Sequence, residues 1–117
     1  LLHEKGHMIG SHGLDHKNFS LLSDEEIEKQ VNENKNILEK KLGYVCDYFA
    51  WTYGKLKDFP ENAYQITSKY HLHILSGTNY KKYFSYDGKI INRRHLEPFW
   101  KKTHINYFLS VNKLYNK

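Results

Sequence analysis

The sequence has 117 residues, which suits one domain at most. Its formal net charge is +5, but Lys and Arg occur as scattered pairs without a run of five. This pattern argues against a nucleic-acid-binding module and favours a solvated surface, while an anionic glycan or a membrane surface stays open as a partner. No stretch approaches the roughly 20 apolar residues of a membrane span, and the single cysteine, Cys46, excludes an internal disulfide.

The first residues favour the end of a helix followed by a strand. Residues 1–6 resemble the last turn of a helix, with Gly6 as its C-cap. The segment from His7 to Ser11 then predicts a short strand, and a polar loop extends from His12 to Leu22. Because the chain opens inside a helical pattern, we expect an earlier strand and most of the first helix to lie upstream.

A long amphipathic helix is the clearest element in the sequence. Ser23 and Glu26 match a capping box, in which each side chain bonds the backbone of the other residue. Gly43 predicts the end of the helix, and Lys40 and Lys41 are favourably placed beside its negative pole. The apolar stripe consists of Ile27, Val31, Leu38 and Leu42, and Asn34 interrupts it.

Shorter elements alternate along the rest of the chain. Aromatic residues predict a buried strand from Asp47 to Trp51. The sequence Phe59-Pro60-Glu61 predicts the start of a second helix, because proline is tolerated in the first turn. Further strands are predicted from Leu72 to Leu75 and from Lys89 to Asn92, with a terminal helix from about Lys102. Alternation of strands and helices indicates an α/β fold with parallel strands.

Two histidines four residues apart are the sharpest chemical feature. His12 and His16 follow the first predicted strand, at the position where α/β folds place ligand-binding groups. Neutral imidazoles bind Zn and similar divalent metals. Eight histidines in 117 residues should give roughly 0.5 such pairs by chance, so the spacing alone is weak. Asp15, between them, is a candidate for orienting a ligand.

Several motifs in a fixed order resemble the NodB-homology polysaccharide deacetylases, carbohydrate esterase family 4. Residues 5–16 read KGHMIGSHGLDH, where the family has a GHEIGSHTxxH-like strand and loop. Residues 22–26 read LSDEE, at a helix start like the family's LSxEE, and the helix ends at Leu42 and Gly43. Residues 49–54 read FAWTYG, where the family has FAYPYG. The resemblance covers about half of the chain well.

The resemblance implies a fold, a reaction and a set of site residues. The fold is a partial distorted (β/α) barrel of the glycoside hydrolase/deacetylase type, lacking its first strand and forming a single partial domain over residues 1–117. The reaction is the metal-dependent removal of acetyl groups from an N- or O-acetylated polysaccharide. His12 and His16 would bind Zn2+ or another divalent metal together with an aspartate, and the backbone N–H of Tyr53 would stabilise the oxyanion. Arg94 matches an arginine that lines the family's site, and His95 is a candidate general acid.

Three departures from the family pattern bear on activity. The early aspartate motif, which supplies the base and the third metal ligand, would lie upstream of Leu1, so we expect the 117-residue chain to be inactive or nearly so. Thr52 replaces the proline of FAYPYG, Gly13 replaces Ser or Thr, and no clear counterpart of the family's general-acid histidine is present. The alternative is a degenerate, non-catalytic homologue that binds glycan or protein. Compartment and oligomeric state are left open.

Overall fold

A three-stranded parallel sheet organises the fold in a computed structural model that describes residues 3–76, 86, 89–91, 93 and 98–107. Its strands are β1 (Tyr48–Ala50), β2 (His73–Leu75) and β3 (Ile90–Ile91), hydrogen-bonded in that order. Tyr48 pairs with His73, and Ile74 pairs with Ile90. The parallel arrangement predicted from the sequence is therefore confirmed for these strands.

Helix α1 (Asp24–Leu42) has the predicted signals at both ends. The backbone N–H of Ser23 donates to Glu26 Oε2 at 2.9 Å, and the backbone N–H of Glu26 donates to Ser23 Oγ at 3.3 Å. These bonds also hold the pKa of Glu26 below its ordinary value. Gly43 ends the helix with φ +77°, and its N–H donates to Glu39 O at 2.8 Å. The predicted helix is confirmed at both ends.

The two helices and the sheet share one hydrophobic core. Helix α2 (Glu61–Thr67) begins after its N-cap, Pro60, and the side chain of Phe59 is buried just before it. Alternate residues of the strands point towards the helices, so that Phe49, Ile74 and Ile90 lie side by side and are buried. The core consists of Phe19, Ile27, Val31, Phe49, Trp51, Phe59, Ala63, Ile66, Ile74 and Ile90. Trp51 and Phe59 stack with ring centroids 4.6 Å apart.

The segment predicted as the first strand makes a single parallel bridge instead. Ser11 donates its N–H to Tyr48 O at 2.7 Å and accepts from Ala50 N at 3.0 Å, whereas residues 7–10 pair with none of the described strands. A Cβ at Gly10 would lie 3.2 Å from Tyr48 Cβ and carbonyl oxygen, so glycine allows this close approach. The segment of residues 7–11 therefore contacts β1 through Gly10 and Ser11 and then continues into the histidine loop.

Other predicted boundaries shift by a few residues. The opening segment is a short 3-10 helix, His3–Lys5, followed by Gly6 at φ +87°. Leu72 is 75% exposed and precedes β2. Asn92 lies outside the described residues, and residues 102–107 are helical, as predicted. The described strands form an open sheet, so closure into a barrel stays a prediction. No described helix is both long and apolar enough to cross a membrane.

Lys35 links α1 by hydrogen bonds to the segments that precede β1 and β2. Its ammonium group donates to the carbonyl oxygens of Cys46 at 3.0 Å and Tyr70 at 2.7 Å. Glu39 and Asp47 lie 3.5 and 3.9 Å from the same nitrogen. The Lys35 side chain is only 15% exposed, so the carboxylates and carbonyls replace much of its hydration.

Two buried groups lie near Lys35 at the amino ends of the strands. The thiol of Cys46 is fully buried, and burial raises its pKa. The ring of His71 packs 5.4 Å from the Phe49 ring, and neither ring nitrogen has a hydrogen-bond partner in the described part of the chain. Burial, followed by the nearby Lys35 ammonium, lowers the pKa of His71 to about 4. His71 is therefore neutral at pH 7.

Candidate metal centre and active site

The carboxyl end of β1 brings together three residues that the sequence singled out. The rings of His12 and His16 lie edge to face with centroids 5.1 Å apart, and the ring of Tyr53 lies 5.0 Å from that of His16. All three side chains are exposed. Carboxyl ends of parallel strands are where open α/β sheets bind ligands. The described residues thus place two imidazoles and an aromatic ring at one solvent-facing point.

A backbone carbonyl determines which nitrogen of His12 is available. Nδ1 of His12 lies 2.7 Å from Ala50 O, the last residue of β1. A carbonyl oxygen can only accept a hydrogen bond, so Nδ1 of the neutral ring carries the proton. The lone pair then resides on Nε2, and histidine ligands of metals are commonly oriented by such a contact.

Both His16 and Tyr53 adopt a left-handed backbone conformation, with φ values of +59° and +66°. Such conformations disfavour residues with a Cβ and are concentrated at functional sites, at a cost of about 1–3 kcal/mol each. The fully buried Thr52 links the two segments, because its hydroxyl donates to Lys17 O at 2.5 Å. A proline at position 52, as in the family motif, would lack this hydroxyl. The departure at Thr52 therefore provides a specific link between the histidine loop and β1.

The conformation of the loop also explains the glycine between the histidines. Gly13 has φ +88°, and a Cβ there would lie 3.3 Å from Gln30 Oε1. That oxygen accepts from the backbone N–H of Leu14 at 2.8 Å, while Gln30 Nε2 donates to Asp15 Oδ1 at 2.7 Å. Asp15 also lies 3.5 Å from Lys17 Nζ. The Asp15 carboxylate therefore contacts Gln30 and Lys17, and no contact of it with either histidine is found.

Helix α1 supports the histidine loop through Gln30 and Asn34, of which the sequence marked only Asn34, as an interruption of the apolar stripe. Gln30 is buried among the apolar residues of the helix, and Asn34 accepts a hydrogen bond from the hydroxyl of Ser11. The spacing of Gln30 and Asn34 along the helix was a signal in the sequence that these two side chains face the interior. Gln30 and Asn34 stand four residues apart on the same side as Ile27 and Val31, where a uniformly apolar stripe would be expected.

A cavity of about 550 Å³ extends from His12 along the sheet. Tyr48, Ala50 and Leu75 contribute to its wall, and so does Arg93. Nε of Arg93 donates to Ser76 O, just beyond β2, at 2.6 Å. The predicted site residues Arg94 and His95 lie outside the described residues. Among those described, Arg93 is the arginine next to the histidine site.

The histidine pair fits a metal in part. Two neutral imidazoles suit a divalent ion such as Zn2+, and the contact of His12 Nδ1 with Ala50 O leaves its Nε2 available for one. Within the part of the chain that the structure describes, no group of three His, Cys, Asp or Glu side chains could hold a metal. His12 and His16 therefore supply two donors, and a complete site needs at least one more.

Comparison with known protein families identifies the family. The family model described as "Polysaccharide deacetylase" matches residues 1–75 of the 117. The chain belongs to the polysaccharide deacetylase family. The matched part of this deacetylase-family chain contains His12, His16 and Tyr53, whereas Arg93, Arg94 and His95 follow it.

A solved structure shows the same fold. The deacetylase-family chain is similar to the crystal structure of a peptidoglycan N-acetylglucosamine deacetylase in complex with 4-naphthalen-1-yl-N-oxidanyl-benzamide, with a TM-score of 0.54 at 16% identity. The match covers 97% of this chain and 58% of that one, so the chain spans little more than half of its length. At this identity the likeness concerns the fold alone. No curated protein matches the sequence.

Proposed function

We propose that this chain contributes the histidine half of a metal-dependent hydrolase that removes acetyl groups from an N- or O-acetylated polysaccharide. Membership of the deacetylase family supports the reaction class. The observation that carries the proposal is the orientation of His12 by Ala50 O, beside His16 and Tyr53 at the carboxyl end of β1. On this reading the described strands belong to a (β/α) barrel and residues 1–117 to a single partial domain.

Each of the three residues has a distinct role in this proposal. Nε2 of His12 and a ring nitrogen of His16 would hold Zn2+ or another divalent metal, together with a carboxylate from outside the described residues. Such an ion would supply Lewis-acid chemistry for the hydrolysis of an acetyl group. The backbone N–H of Tyr53 donates to the oxyanion, and it has no hydrogen-bond partner within the described residues.

The proposed site also has positive charge near the histidines. Arg93 lines the cavity that starts at His12, and its contact with Ser76 O fixes the position of the guanidinium group. We retain Arg94 as a second arginine of the site and His95 as the general acid, both as proposals from the sequence. Because the described residues bring no carboxylate to the histidines, we expect residues 1–117 by themselves to release acetate very slowly or not at all.

Zinc binding tests the histidine pair directly. Isothermal titration calorimetry with Zn2+ should show one site in the 117-residue chain, and the double substitution His12→Ala and His16→Ala should weaken it about 100-fold or more. The matched control replaces His7 and His104, two exposed histidines, with Ala. If the control loses as much affinity as the test variant, binding is non-specific and the proposed metal centre is wrong.

A non-catalytic homologue that binds glycan or protein is the second candidate. The engagement of Asp15 by Gln30 and Lys17 favours it, because the nearest carboxylate in sequence is committed to other partners. The two functions are distinguished by assaying a longer protein that includes residues 1–117 beside the 117-residue chain. Zinc-dependent acetate release from chitin oligosaccharides by the longer protein supports the hydrolase, whereas metal-independent glycan binding without acetate release supports the homologue.

A further inference from the structure

Gln30 is a buried polar residue on the apolar face of α1. Its side chain is only 5% exposed, and its helix neighbours Ile27 and Val31 are fully buried. Burying an amide costs free energy unless its polar atoms are hydrogen-bonded. Both polar atoms of Gln30 have a partner, and both partners lie in the loop between His12 and His16. The buried amide is therefore directed at the segment that joins the two histidines.

The two hydrogen bonds of Gln30 hold consecutive residues of this loop. Oε1 accepts from the backbone N–H of Leu14 at 2.8 Å, and Nε2 donates to Asp15 Oδ1 at 2.7 Å. A primary amide accepts with its oxygen and donates with its nitrogen at the same time, whereas an ionised carboxylate can only accept. The loop is therefore fixed to α1 at one backbone atom and at one side-chain atom of adjacent residues.

The loop approaches Gln30 closely on both sides of these bonds. A Cβ at Gly13 would lie 3.3 Å from Gln30 Oε1, so the glycine lets the amide oxygen reach the chain directly after His12. His16 follows Asp15 and adopts φ +59°. A residue with a Cβ keeps such a left-handed conformation only where its surroundings hold it there. The hydrogen bond to Asp15 supplies a constraint of this kind beside the second histidine.

The two histidines differ in what holds their rings. The ring of His12 is oriented by its hydrogen bond with Ala50 O. Among the described residues, the ring of His16 has edge contacts with His12 and Tyr53, and no hydrogen bond to it is found. The position of His16 therefore depends on the backbone that precedes it, which is the part of the loop that Gln30 binds.

We propose that Gln30 is a positioning residue, which holds His16 beside His12 by fixing Leu14 and Asp15 between them. This inference rests on the proposed function, because two rings bind one metal ion only when they converge on it. Gln30 acts through the loop, and its bond to Asp15 also keeps that carboxylate turned towards α1. Metal affinity typically falls 10–100-fold when a group that orients a histidine ligand is removed.

Gln30→Met tests this role, because it keeps an unbranched side chain of similar length and removes both hydrogen bonds. In the zinc-free protein, the nuclear Overhauser contact between the ring protons of His12 and His16 should weaken. In calorimetry, the affinity for Zn2+ should fall about tenfold. The matched control is Gln65→Met, at an exposed glutamine of α2 that bonds Glu61, and it should change neither readout. A Gln30→Met variant that keeps the ring contact, or that binds zinc at least as tightly as the unchanged chain, would overturn the proposal.

Exchanging the amide and the carboxylate separates positioning from a loss of stability. Gln30→Glu alone brings a second carboxylate against Asp15 and should weaken zinc binding at least as much as Gln30→Met. Combining Gln30→Glu with Asp15→Asn places a donor opposite an acceptor again and keeps an oxygen for the N–H of Leu14. The ring contact should then return, with a zinc affinity within about threefold of the original. Ile66→Ala, which truncates a buried side chain of α2, should lower the free energy of unfolding and leave both readouts unchanged. A folded double variant without recovery would contradict the proposal.

The ring contact in the zinc-free protein distinguishes this inference from the proposed function. If the unchanged chain binds no zinc while Gln30→Met loses the ring contact, the metal centre is wrong and the positioning role of Gln30 stands. If zinc binding depends on His12 and His16 but not on Gln30, the metal centre stands and this inference is refuted.

Discussion

Lys35 offers the most direct test of how the helix layer is attached to the sheet. Its ammonium group binds carbonyl oxygens of two different segments, at Cys46 before β1 and at Tyr70 before β2. Substitution Lys35→Met keeps an unbranched apolar stem of similar length and removes the charge. Both carbonyl oxygens would lose their donor, and Glu39 would lose a neighbouring positive charge.

The expected loss follows from the number and kind of these contacts. A hydrogen bond to a charged group contributes about 1.5–3 kcal/mol. The two bonds of Lys35 do not add fully, since Tyr70 is half-buried and its carbonyl can gain a water. We expect the free energy of unfolding to fall by about 2–3 kcal/mol, a large share of the 5–15 kcal/mol that is typical of a domain.

Urea denaturation followed by circular dichroism measures this loss. With m near 2 kcal/mol/M, the unfolding midpoint should fall by about 1 M at unchanged m. The control is Lys29→Met on the same helix, where the side chain is exposed, and its change should stay within about 0.5 kcal/mol. A Lys35→Met midpoint equal to that of Lys29→Met would refute the reasoning, because the buried ammonium would then contribute nothing beyond its stem.

Three further outcomes follow from single residues. The pKa of His71 is lowered to about 4 in the folded state, whereas the histidine pKa in the unfolded chain is about 6.5. As the pH falls, the unfolded chain therefore takes up the proton first. The free energy of unfolding is at its full value above pH 6.5, and about 3 kcal/mol of it is lost towards pH 4. Urea titrations of His71→Phe should lack this part of the pH dependence, and an unchanged pH profile would contradict it. Thr52→Val should lower the free energy of unfolding by about 1 kcal/mol and weaken zinc binding. The control is Thr67→Val, which removes an equally buried hydroxyl without a described partner and should be neutral or stabilising. Equal effects of the two substitutions would exclude the role given to Thr52. Gly13→Ala should cost about 1–2 kcal/mol in thermal melts because of its φ of +88°, and a neutral result would argue against that loop conformation.

Local signals predicted some elements well because their causes are local. The capping box at Ser23 and the left-handed Gly43 determine the ends of α1 through contacts within a few residues. The parallel sheet followed from the alternation of elements, since a helix between two strands returns the chain in the same direction. His12 and His16 were expected after a strand over residues 7–11, whereas the structure places His12 against the end of β1.

Contacts between distant residues were the part that the sequence did not reveal. The strand predicted over residues 7–11 shrank to a bridge at Ser11, because pairing depends on β1, which lies 38 residues further along. The sequence predicted no role for Gln30 or Asn34, since a polar residue in a helix is ordinarily solvated, and only the fold brings the histidine loop against them. Arg93 lines the cavity, whereas Arg94 lies outside the described residues, so its role stays a prediction.

The buried thiol gives this protein an internal reporter of its own opening. Cys46 is the one cysteine of the sequence, it is fully buried, and its raised pKa leaves little reactive thiolate. A thiol reagent therefore modifies the chain only when the segment before β1 separates from α1. The rate of labelling by such a reagent measures how often that separation occurs. In a Lys69→Cys variant the new thiol would be exposed and would react rapidly, so a fluorophore could be attached there selectively while Cys46 stays buried in the native protein.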